Sequence, residues 1–380
     1  MFFKKPHLLY PLFFLIVILF NCFPCESIIT LPYSSIHGGE TFIKMSLYGS
    51  ITFLVNQQIH TTYVLDSKLN PLDIESTDTI IIKQKEYKRN LIRETFYLTS
   101  FSGVSLKCYQ IYLPTNLKTV YSGLSFSYNN CDNGFSLIYA LKDKNLIEHL
   151  QYSFVPTDIE KGNLYVGGLP SDVINNKQKA QCNINNERWG CDLSEVIMNN
   201  RRYRNNHNAF FQAKYKYIYA PKEYIDFLYY NIFKEFFDDN KCSVSTYFND
   251  NYKSFECDYI ASLFNKLPSN FIFIFDNTQY IIPLYSLVYK YKDLGDNVYF
   301  KFGIVEALEE TEKDVWMFGS SFLTHYISSF DYETKQITFY SDEPFITGNN
   351  SIVSIVVIIN IFDIIIFSGI LLSIFTLYYI

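Results

Sequence analysis

The chain lacks a basic excess. Its 380 residues carry 32 Lys and Arg against 38 Asp and Glu, a formal net charge of −6. A nucleic-acid binder normally shows the opposite footprint, so no nucleic-acid partner is expected. There is no H-E-x-x-H, no C-x-x-C beyond the first 27 residues, and the six His are scattered, which leaves no zinc ligand set. No G-x-S-x-G elbow supports a serine triad. No glycine-rich loop cradles phosphate, since Gly167-Gly168 reads as a strand end. No 20–50-residue period points to a solenoid or propeller. Nothing calls for a cofactor or a metal. Charged residues are only 18% of the chain and hydrophobic ones 48%, which excludes wholesale disorder. The 35 Phe and 33 Tyr read as fillers of core and strand positions.

What is present begins at the ends. Lys4 and Lys5 precede an apolar run from Leu8 to Phe20, followed by Pro24, Cys25, Glu26 and Ser27. A basic start, a short apolar stretch and small residues after it read as a secretory signal peptide over 1–27. Residues 352–380 are largely apolar with one charge, Asp363, and long enough for a transmembrane helix. A lipid-anchor signal ends the same way, with Gly348 to Ser351 small enough for attachment, so both readings stay open. Asn349-Asn350-Ser351 is a glycosylation sequon. Together these place the globular part in the lumen of the secretory or endolysosomal system or at the cell surface, tethered to the membrane.

Between the ends lie six cysteines, an even set that suits disulfides in an oxidising compartment. Pairing sequence neighbours gives Cys108–Cys131, Cys182–Cys191 and Cys242–Cys257. The middle of the chain reads as strands. Residues 51–55 and 61–65, around the turn 56–58, predict a hairpin, as do 271–275 and 279–282 around 276–278; 336–340 is a further strand. Helices are few. Pro221 suits a first helical turn, and Tyr224, Leu228 and Ile232 follow at i+4 spacing; 144–150 is a shorter candidate. The cluster Arg201-Arg202-Tyr203-Arg204 reads as a solvated loop. Length and pattern suit two β lobes, 28–180 and 181–345.

Read in order, several segments resemble the pepsin-type (A1) aspartic proteases. Tyr48-Gly49-Ser50-Ile51 and Val64-Leu65-Asp66-Ser67 sit where that family has its first strand pair and its Asp-Thr-Gly loop. Gly162 to Gly168 matches the strand closing the first lobe, and Trp189 the strand opening the second. Cys242, Cys257 and Leu267-Pro268 follow. Trp316-Met317-Phe318-Gly319-Ser320-Ser321-Phe322-Leu323, then Tyr326 and Phe330-Asp331, is similar to the family's closing segment. The resemblance implies a mainly β, bilobal fold with a peptide-binding cleft between the lobes.

The chemistry of that family needs two carboxylates about 3 Å apart that share one proton, one acting as base and the other as acid. Here the first loop keeps Asp66 and Ser67, but Lys68 replaces the glycine and would favour an ionised acid. Counting back from Pro221, the second aspartate falls on Gln212, followed by Ala213 and Lys214. A Gln side chain does not titrate. Asp226 lies in the helix pattern and offers no replacement. The flap falls on residues 96–103, with Tyr97 or Phe101 as its covering aromatic. The expectation is therefore a membrane-anchored, catalytically inactive homologue that binds a peptide or protein in its cleft. The alternative is an active aspartic endopeptidase of an acidic compartment.

Overall fold

A computed structural model describes residues 28–36, 40–46, 50–56, 63–64, 74–82, 85–99, 102–111, 122–126, 136–158, 160–184, 188–247, 252–292, 298–308 and 314–347. Side chains between 35 and 125 are outside this description, and those strands are characterised by their backbone pairing alone. The leader 1–27, the sequon and the apolar run 352–380 lie outside the described residues. Among the described residues no helix is long and apolar enough to cross a membrane.

The chain is mainly β, built on two large sheets. The first holds 13 strands. They are β1 (Ile29–Ile36), β2 (Glu40–Ser46), β3 (Ser50–Asn56), β4 (Tyr63–Val64), β5 (Ile74–Ile82), β6 (Lys85–Thr99), β7 (Ser102–Ile111), β8 (Ser122–Ser125), β9 (Gln151–Pro156), β10 (Lys161–Val166), β11 (Gln178–Asn183), and two late strands, β23 (Ile327–Asp331) and β24 (Gln336–Ser341). The second holds 12. They are β12 (Gly190–Met198), β13 (Arg201–Phe211), β14 (Ile218–Ala220), β15 (Cys242–Tyr247), β16 (Tyr252–Asp258), β17 (Asn270–Phe275), β18 (Thr278–Pro283), β19 (Val288–Lys292), β20 (Val298–Phe302), β21 (Ile304–Ala307), β22 (Trp316–Phe318) and β25 (Ile346–Thr347).

Within the first sheet, β11, β24, β23, β9, β10 and β1 lie side by side in antiparallel register, so the start, middle and late parts of the chain share one platform. Buried aromatics fasten it. Tyr152 stacks on Phe330 at 4.8 Å between ring centroids, and Trp189 meets Tyr332 edge-on at 4.8 Å. The Trp189 indole N–H donates to Phe126 O at 2.9 Å, which satisfies the polar atom of a fully buried ring. Gly162 is required by close approach: a Cβ there would lie 2.4 Å from the Tyr33 ring and from Val155 O.

Each sheet contains the same four-strand arrangement. In the first, β3 runs parallel to β8, β8 antiparallel to β4, and β4 parallel to β7. In the second, β13 runs parallel to β22, β22 antiparallel to β14, and β14 parallel to β21.

Several sequence expectations hold. Cys182–Cys191 and Cys242–Cys257 are both bonded. Cys131 is outside the described residues, as is the Cys108 side chain, although the Cys108 backbone lies in β7. The β17–β18 hairpin forms, its turn shortened to Asp276-Asn277, both at positive φ (45° and 63°), as a two-residue type I′ connection demands. A helix follows Pro221: Lys222–Leu228 continues through a π turn, Tyr229–Phe233, into Lys234–Asp238.

Three expectations are corrected. The hairpin of 51–55 with 61–65 does not form. β3 pairs with β2 on one edge and β8 on the other, so both its ladders are taken. The three-residue connection 47–49, which contains Gly49, is a favoured hairpin length. The helix placed at 144–150 instead spans Leu137–Asp143. Asn145 adopts φ 54° and donates to Lys142 O, while Leu146 N–H donates to Leu141 O, a left-handed cap that ends it. Arg201, Arg202 and Arg204 are not in a loop but on β13, opposite β12. Glu195 on β12 pairs with Arg204 at 2.9 Å and Arg202 at 3.3 Å, while Arg201 donates to Asn231 Oδ1 at 2.8 Å.

Candidate functional site

Gln212 is the residue at which β13 stops. Its N–H donates to Phe318 O at 2.9 Å, the last rung of the parallel β13–β22 ladder. Its carbonyl then accepts from Tyr215 N at 3.1 Å, closing a tight turn over Ala213 and Lys214. The turn is fastened to the segment after β22. Gly319 N–H donates to Tyr217 O at 3.1 Å, Ser320 N–H to Tyr215 O at 2.8 Å and Ser321 N–H to Lys216 O at 3.0 Å. The Ser320 and Ser321 hydroxyls also donate to Lys216 O. Only glycine fits at 319, because a Cβ would stand 2.4 Å from Tyr215 O and 2.5 Å from Tyr217 O. The sequence pattern around Gly319 signals this contact; nothing in the sequence signals the hydroxyl clamp at 320 and 321.

The Gln212 side chain is fully buried, and among the described residues neither its amide nitrogen nor its amide oxygen has a hydrogen-bond partner. Basic side chains surround the turn. The Lys214 ammonium lies 4.4 Å from the centre of the Tyr215 ring, and that of Lys216 4.4 Å from the Tyr289 ring. Burial, and then the neighbouring charge of Lys301, hold the Lys216 pKa below the usual lysine range, while Glu160 pulls it back up. Asp226, on the helix after Pro221, forms an exposed ion pair with Lys222 at 2.5 Å and is not directed to the turn.

Alternating residues of β14, β21 and β22 separate two faces. Ile218, Ala220, Ile304, Trp316 and Phe318 join the main core. Tyr217, Tyr219, Val305, Ala307 and Met317 form a second cluster with Tyr252, against which Tyr215, Tyr247 and Tyr289 pack. The turn carrying Gln212 thus opens onto a tyrosine-rich face studded with lysines.

Of the residues expected in the first-lobe half of the site, Asp66, Ser67, Lys68 and Phe101 lie outside the described residues. Tyr97 is on β6, its backbone opposite Gly103 of β7 and Ser46 of β2, with its side chain undescribed. The stretch 96–103 expected to hold the flap falls at the end of β6 and the start of β7, which pair antiparallel. In the paired four-strand arrangements, the counterpart of the connection holding Gln212 is the β3–β4 connection, residues 57–62. That stretch, Gln57-Gln58-Ile59-His60-Thr61-Thr62, contains no carboxylate, and Asp66 follows β4.

A mainly β chain with two large sheets, each holding a copy of this strand arrangement, is consistent with a pepsin-like fold. The family model of eukaryotic aspartyl proteases matches residues 117–341, more than half of the chain, and the protein belongs to that family. The match takes in Gln212 and its clamp; Asp66 precedes it. A comparison with curated proteins found no match.

Proposed function

We propose that this family member is a pseudoprotease: a membrane-anchored protein of the secretory pathway that keeps the cleft between a first lobe (28–180) and a second (181–345) as a binding groove for a peptide or protein, without hydrolysing it. The observation that carries this reading is Gln212. The buried turn that should present the second carboxylate presents an amide, which neither takes up nor releases a proton near neutrality. General acid–base help is typically worth about 10²–10⁴-fold in rate, and with an amide at Gln212 and no carboxylate in the counterpart connection 57–62, no carboxylate pair is left to activate water and protonate the leaving amine. Lys214, two residues on, replaces the small glycine and adds positive charge beside the turn. The leader at 1–27 and the apolar run 352–380 support luminal delivery and a C-terminal tether, as a helix or an exchanged lipid.

The test is affinity for a statine-type inhibitor, whose hydroxyl mimics the tetrahedral state between two carboxylates. Transition-state analogues bind active enzymes about 10²–10⁸-fold more tightly than substrates. The full chain should bind such an inhibitor no more tightly than the matching unmodified peptide. A hundredfold preference for the inhibitor would overturn the reading.

A further inference from the structure

The segment after β18 is strapped to the segment after β22 at three points. Tyr326 OH donates to Ile281 O at 3.0 Å and accepts from Ile281 N–H at 2.8 Å. The Tyr285 ring, in the 3₁₀ turn Leu284–Leu287, meets the His325 imidazole edge-on at 6.3 Å between ring centroids. Tyr289 OH donates to Ser321 Oγ at 3.1 Å. The backbone of the strap is pinned at both ends of the 3₁₀ turn: Leu284 N–H donates to Ser269 O at 2.8 Å, and Leu287 O accepts from Gly303 N–H at 2.7 Å. Between these pins Tyr285 is largely exposed and lies over His325.

His325 is the middle contact of the strap. It follows the short helix Ser320–Leu323, and its N–H donates to Phe322 O at 3.0 Å. Its Nε2 is buried and has no hydrogen-bond partner among the described residues. The titratable groups beside it are Tyr285 on the strap and Tyr326 on its own segment, phenols that bear no charge in acid. Tyr285 and Thr324 also line a cavity of about 430 Å³, whose charged groups are Glu160 from the β9–β10 hairpin, Lys216 from the Gln212 turn and Lys290 of β19. None of these charges contributes at His325: burial alone pushes its pKa down to about 4. An imidazolium here would be a buried charge with no counter-ion, which costs far more than the neutral ring.

We propose that His325 is an acid-operated latch: protonation of its ring releases the Tyr285 turn from the segment after β22 and loosens the support of the Gln212 turn. In the closed strap the ring is neutral. Once the turn lifts, the solvated ring takes up a proton near the ordinary histidine value of 6.5. Below that value each pH unit favours the open strap by about tenfold, until the closed form binds the proton as well. The contact reaches the site through Ser321, which accepts from Tyr289 OH and donates to Lys216 O. This goes beyond the loss of catalysis and holds whether or not the chain cleaves peptides, because it concerns the pH at which the support of the turn is firm.

The test is hydrogen exchange of the full chain from about pH 7 to about pH 4, read by mass spectrometry and corrected for the intrinsic pH dependence of exchange. Peptides spanning 281–289 should lose protection by about tenfold per pH unit below about pH 6.5, while those from β24 keep theirs. In His325→Phe, which keeps a ring and removes the titrating nitrogens, protection of 281–289 should no longer depend on pH. His325→Gln should behave alike, so the result does not hang on how one replacement packs. Tyr285→Trp gives a second readout: its emission should shift to the red in acid, and the shift should vanish when it is combined with His325→Phe. A flat profile over 281–289 in the unmodified chain, or an acid loss that survives both replacements of His325, would refute the latch. So would an equal loss in β24, which would mark global acid unfolding in place of a released strap.

Discussion

Replacing Gln212 by Met is expected to stabilise the protein. The side chain is fully buried and both of its polar atoms lack partners among the described residues. Leaving a buried polar group unsatisfied costs about 1–3 kcal/mol. A Met of similar length removes both groups while keeping the volume, and such volume-conserving exchanges cost less than about 1.5 kcal/mol in packing. The balance is a gain of about 1–2 kcal/mol, which at about 2–4 °C per kcal/mol for chains of 150–250 residues is a rise in Tm of a few degrees. The assay is reversible denaturant unfolding, with thermal unfolding as a second probe. Gln212→Asp is the contrasting variant. Burial raises a carboxyl pKa, so the unfolded state releases its proton first, and this variant should lose stability relative to wild type as pH rises above about 4. If Gln212→Met instead loses more than about 1 kcal/mol, the amide is engaged by bound water or ligand, and the site is hydrated and polar in solution.

Further expectations rest on the packing and titration of named groups. Trp189→Ala removes a buried ring and its bond to Phe126 O, and should cost about 3–5 kcal/mol in chemical denaturation. Gly162→Ala should destabilise by about 1–3 kcal/mol, because the new methyl meets the Tyr33 ring and Val155 O. Reducing or deleting Cys242–Cys257, 15 residues apart in sequence, should cost about 3 kcal/mol, read as a shift in the denaturant midpoint. Burial raises the pKa of Tyr33, Tyr224, Tyr280, Tyr289, Tyr326 and Tyr332. Above about pH 10 the unfolded chain loses these protons and the folded one keeps them, so stability should fall by about 1.4 kcal/mol per pH unit for each such tyrosine. A pH titration of unfolding that stays flat to pH 11 would contradict this.

The second-lobe half of the site was legible because its signals are local. Pro221 fixes the start of a helix, and the turn nine residues before it then falls on Gln212. Cysteines near each other in sequence are also near each other in space here, at Cα separations of 6.0 Å for Cys182–Cys191 and 4.0 Å for Cys242–Cys257. What the sequence did not reveal depends on choice among equals. Segments 40–46, 50–56 and 61–65 all carry strand patterns, and alternation does not say which partner a strand takes. The arginines at 201–204 read as a loop because Glu195, the partner of Arg202 and Arg204, is seven to nine residues away on another strand. Asn145 gave no warning that it would adopt a left-handed conformation and move the helix upstream. The hydroxyl clamp on Lys216 and the pocket beside it join residues more than 100 positions apart, beyond any local motif.

Loss of peptide hydrolysis is the central claim, and cleavage of an unfolded protein mixture, read by mass spectrometry, tests it most directly. The purified full chain should produce no new termini above a buffer control from about pH 2 to about pH 7, a range covering the titration of a paired aspartate dyad. Cleavage at defined sites that is blocked by a statine-type inhibitor and abolished by Asp66→Ala would contradict it.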